Sequence, residues 1–238
     1  MQVVGRRISS RAREFIGKRN GQHRLDPSEL HLAEESAVMF ISRRVYEPAV
    51  VRLNYQLSAE SRDMKDCIAY LKSGTPSIFL HIDNIYRNVA SSGTTLLRYI
   101  GSILVHELSH LTDYERGLPI TLEDYDKINS AKGKADERLI TQRSYCWILM
   151  EVRATELELE FLHGGNTRRS QLNRALNEYY KDANRSPKYV RRVLKQFMDT
   201  VRVFFGSEWY EHVSNNVPTF EDFNNPEEYV SEALSGGQ

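Results

Sequence analysis

The chain has 238 residues, 40% of them hydrophobic and 27% charged, a balance that suits a globular protein with a core of its own. No run approaches the roughly 18–20 apolar residues that span a bilayer, so a membrane-spanning chain is not expected. Two cysteines, Cys67 and Cys146, are too few for a disulfide framework and read as reduced thiols. The opening "MQVVGRRISSRAREF" has arginines but no apolar core of a signal peptide, and the expected compartment is the cytoplasm. The formal net charge of zero conceals an uneven distribution. Arg6, Arg7, Arg11, Arg13, Lys18, Arg19 and Arg24 face a single nearby acid, Glu14. Residues 166–202 are again basic, whereas 203–238 contain acids and no Lys or Arg. Such blocks are ordinarily solvated helix faces, and otherwise meet a partner of opposite charge.

Residues 1–24 are expected to form a basic arm. In "DPSELHLAEESAVMFISRRVYE", Asp26 is placed to cap, Pro27 to open and Glu29 to favour a helix running to about Tyr46. The alternation in "AVVRLNYQL" (49–57) predicts a strand. "AESRDMKDCIAYLKSG" reads as a helix closed by Gly74, and "PSIFLHID" (76–83) as a strand ended by a polar turn. Leu97, Ile100, Leu104, Leu108 and Leu111 mark a helix from about 95 to 116. A loop follows, then a long helix from about 135 to 163 closed by Gly164-Gly165. Further helices are predicted at roughly 167–183 and 187–205, and a last one from Asn225-Pro226. The fold class is therefore α+β and mostly α-helical. Residues 25–165 are expected to form the core, and 166–238 a helical extension of that domain or beside it.

The chemistry lies in "ILVHELSHLTDYERG" (103–117). His106 and His110 are four residues apart and stack on one face of a helix. Two imidazoles so placed can bind one zinc ion at about 2.0–2.1 Å, and Glu107, turned off that face, can serve a water that the metal activates. The plain alternative is a helix that merely carries two histidines. A catalytic site needs a third protein ligand. Asp113 lies about 10.5 Å along the helix axis from His106, too far for one ion to bind both easily. It is read as a group that orients an imidazole, or as an ordinary surface acid. The metzincin pattern, with a helix-breaking glycine and a later histidine, is absent, since Asp113 and Arg116 occupy those positions.

Two glutamates compete for the third place. Glu151, in "WILMEVRATELELEFLHGG", sits among apolar residues with the small Ala154 three positions on. "HELSH" followed by "EVRAT" resembles the gluzincins, the zinc metallopeptidases whose third ligand is a glutamate from a following helix. The resemblance covers roughly residues 76–163. It implies a zincin-like fold, with a small sheet whose edge strand lies beside the motif helix, and one zinc ion per chain. Glu228, with Ser231 three positions on, is the alternative, and resembles the glutamate helix of gluzincins related to anthrax lethal factor. Acids there also suit the start of a helix.

The expected function is zinc-dependent hydrolysis of peptide bonds in a protein or peptide substrate, with Glu107 as general base and strand 77–82 aligning the substrate backbone. Tyr114, Tyr145 and Tyr229 are candidate donors to the oxyanion. One alternative is a metal-binding structural or assembly protein on a peptidase scaffold, using its charged segments for contact. Another is a peptidase brought to nucleic acid by the basic arm and "NRSPKYVRRVLKQ", with Tyr179, Tyr180 and Tyr189 stacking on bases.

Overall fold

A computed structural model describes residues 27–44, 52–56, 68–72, 77–118, 137–164, 169–182 and 188–235. The expected arm at 1–24 and most of the loop after 117 lie outside these residues. Helix α1 (Pro27–Arg44) is followed by strands β1 (Arg52–Gln56), β2 (Ala69–Lys72) and β3 (Ser77–His81). Helices α2 (Ile82–Ser92), α3 (Leu96–Glu115) and α4 (Glu137–His163) come next. Then follow α5 (Arg169–Asp182), α6 (Lys188–Phe205), a 3-10 turn at Gly206–Glu208, α7 (Trp209–Asn215) and α8 (Pro226–Ser235). None of the described helices is long and apolar enough to cross a membrane.

The described residues fall into two compact units, one within 1–115 and 154–168, the other within 116–153 and 169–238. In the first, Leu30, Ala33, Ala37 and Ile41 line one side of α1 at helical spacing, and α1 packs on α3. Helix α3 is buried almost continuously from Ile100 to Asp113, which makes it the element around which the unit is built. Ile78, Leu80, Ile82 and Ile85 join the same core from β3 and α2.

The sheet is three-stranded in the order β1-β3-β2, with β1 parallel and β2 antiparallel to β3. Strand 77–82 was expected to offer its backbone to a substrate, but β3 is the central strand and both its edges are paired. The edge strand that packs on α3 is β2. Its residues 69–72 were expected to be helical; pairing with β3, including the Tyr70 and Phe79 rings stacked at 4.9 Å, holds them extended. The polar turn expected after Asp83 is instead helix α2, which ends at Gly93 with a left-handed φ of 68°.

In the second unit, Val190, Leu194, Phe197, Met198 and Val201 form the buried stripe of α6. The rings of Phe197, Phe223 and Tyr229 pack together, with centroids 5.1 and 5.2 Å from Phe197. Tyr145, placed by the sequence in the core of 25–165, joins residues of 166–238: its ring is 6.1 Å from Phe197 and 5.1 Å from Phe223. The short helix α7, absent from the sequence reading, contributes buried Trp209, Tyr210 and Val213.

Candidate metal centre

Helix α3 carries His106, Glu107 and His110 as the spacing requires, on its most buried stretch. The two imidazole centroids are 4.9 Å apart and their planes 83° from one another, as expected for residues one helical turn apart. Helix α4 brings Glu151 to them. One ligand atom from each of His106, His110 and Glu151 lies within 4.8 Å of the other two. Atoms bound tetrahedrally to one zinc at about 2.1 Å are about 3.4 Å apart, so the group closes on an ion with side-chain shifts of about an ångström. Two imidazoles and a carboxylate are also a donor set that suits zinc and similar divalent metals. His106, His110 and Glu151 are thus positioned to hold a metal ion.

The surroundings are shielded from water. Glu107 is 8% exposed and His110 9%, while Asp113 is fully buried three residues beyond His110. Val152, Ala154 and Thr155 around Glu151 are buried too, and Ala154 keeps that side of α4 small. Glu228 is elsewhere: it is exposed in the first turn of α8 and outside the group formed by the histidines. Two of the three candidate tyrosines donate to backbone carbonyls of the second unit. Tyr145 donates its hydroxyl to the carbonyl of Val213 at 3.2 Å, and Tyr229 donates to that of Asn216 at 2.5 Å. Burial raises both phenols above the ordinary value, which suits donors held protonated. Tyr114 is half-buried near the end of α3. His81 is buried in the sheet region against Tyr70, and His163 is exposed at the end of α4.

One residue passed over in the sequence stands against the site. Glu158 Oε2 is 3.0 Å from Nδ1 of His106. An ionised carboxylate can only accept, so the contact is a hydrogen bond when the ring carries its proton on Nδ1. The same region shows how closely the helices meet. A Cβ on Gly101 would lie 2.8 Å from the ring of Phe161, so only glycine leaves room for that ring. The signal for Glu158 was its spacing: seven residues after Glu151 is two helical turns, which returns to the same face.

No family model, curated protein or solved structure matches this chain.

Proposed function

We propose that the chain is a zinc-dependent peptidase of gluzincin type, in which His106, His110 and Glu151 hold one zinc ion and Glu107 is the general base. The observation that supports this reading is the convergence of those three ligand atoms within 4.8 Å on the helix that also carries Glu107. Bound there, zinc supplies Lewis acidity toward the scissile carbonyl and water.

The remaining work falls to the chain itself. One residue along a helix is a turn of about 100°, so Glu107 projects away from the line joining the two histidines. Its carboxylate takes a proton from the attacking water and hands it to the leaving amine, a role worth about 10²–10⁴-fold in rate. Shielding by α3 strengthens these charge interactions. The edge strand β2, beside α3, takes the part first given to strand 77–82. Among the described residues its far edge has no strand partner, and an extended peptide pairing there would lie along the motif helix.

Zinc analysis and peptide hydrolysis by the wild-type chain and Glu107→Gln provide the test. The expected result is one zinc per chain in both, an unchanged circular dichroism spectrum, and hydrolysis lost by about 10²–10⁴-fold in the variant. Equal hydrolysis by the two proteins would overturn the mechanism. A wild-type chain that binds zinc but cleaves nothing in a mixed peptide library would support the non-catalytic, metal-binding alternative.

A further inference from the structure

We infer that Glu158 is a positioning residue that sets His106 in its metal-binding tautomer before any metal arrives. The inference rests on the metal-site reading above and adds to it how the site is prepared. An imidazole binds a metal through a nitrogen lone pair, and a neutral ring has one lone pair and one N–H. Free imidazole side chains in water favour the form with the proton on Nε2. At His106 the carboxylate of Glu158 lies 3.0 Å from Nδ1 and holds the proton there. Nε2 then carries the lone pair, in the ring that belongs to the group with His110 and Glu151.

The environment makes this hydrogen bond effective. The His106 side chain is 16% exposed and that of Glu158 26%, so water competes weakly for either. The charge of Glu158 is also felt nearby: the Tyr99 phenol is pushed up to about 12, first by burial and then by that negative charge. The geometry has a local origin in α4. Glu151 and Glu158 are two turns apart on one face, with buried Ala154 between them. A single helix thus supplies both the candidate third ligand and the carboxylate that orients the first histidine. The close approach of Gly101 to Phe161, one residue row further along, keeps the two elements in reach of one another.

The test uses the metal-free full chain, labelled with nitrogen-15, and zinc alone as ligand. Long-range proton–nitrogen correlations, with His106 assigned by comparison with His106→Asn, should show the Nδ1–H form in the wild type. Glu158→Ala should shift His106 toward Nε2–H and weaken zinc binding, read by chelator competition, by about 10–100-fold. Glu158→Gln, whose amide oxygen still accepts, should fall between the two and guards against a loss of fold in the alanine variant. An unchanged tautomer together with unchanged zinc affinity in Glu158→Ala would overturn the inference and leave the metallopeptidase reading standing. A wild type that takes up no zinc while His106 holds the Nδ1–H form would overturn that reading, yet support the control of Glu158 over the tautomer.

Discussion

Glu151 and Glu228 look alike as letters: each is an acid on a helix with a small residue three positions on. Their surroundings differ. Glu151 is half-buried beside the two histidines, whereas Glu228 is exposed in the first turn of α8, where the helix dipole favours an acid without any metal. Glu151→Gln is expected to weaken zinc binding by more than the roughly 10–100-fold typical of losing an outer partner, and Glu228→Gln to leave it unchanged. Zinc stoichiometry and chelator competition on the two variants check this, and the reverse ranking would move the ligand to α8. Cys146 gives a second residue-level expectation. Its thiol is 1% exposed and is pushed up to about 12 by burial, so it stays protonated and shielded at pH 8. Alkylation mapped by peptide mass spectrometry should leave Cys146 unmodified in the native protein and modify it readily in urea.

Helices were legible wherever capping and period agreed. Pro27 opens α1, Gly164 closes α4 and Gly206 follows α6, the last two with left-handed φ of 67° and 55°. Strand β2 was not legible. "IAYLK" is a short apolar run that helix and strand share, and the pairing partner that decides between them comes from β3. The contact of α3 with α4 was equally hidden, because a glycine within a helix says only that something costs about 1 kcal/mol. Its reason is the ring of Phe161, itself held edge-on to Phe40 at 5.5 Å. Gly101→Val should therefore destabilise the protein by about 1–3 kcal/mol in urea unfolding. Adding Phe161→Leu should recover part of that loss; additive effects of the two changes would show that the contact is unimportant.

At the scale of the molecule, burial of ionisable groups fixes how stability follows pH. Cys146, Tyr145 and Tyr229 all have folded values raised by burial. Their contribution is fully present below the ordinary values of 9 to 10 and is lost as pH climbs toward the folded ones, about 12 for Cys146. His212 is the opposite case, a base lowered by burial, its ring stacked on Phe205 at 3.8 Å. Below its ordinary value of 6.5 the unfolded chain binds the proton more readily, so stability falls with acid. Urea midpoints of the metal-free protein between pH 5 and 10.5 should form a plateau near neutrality with a decline on each side. In His212→Gln the acid decline should be shallower, and an unaltered acid limb would assign it to other groups.

The amino-acid sequence alone carried the mostly helical α+β character, the extents of the longer helices and the pair of histidines one turn apart. These are local properties: capping chemistry, a period of 3.6, and side chains four residues apart. Tertiary structure decided which strand lies at the sheet edge beside α3, which glutamate joins the histidines, and that Glu158 meets His106. Each of those depends on residues far apart in the chain being brought together by the packing of α3, whose buried length has neighbours on several sides. Spacing along one helix can place two ligands, but it cannot specify which carboxylate a second helix will deliver.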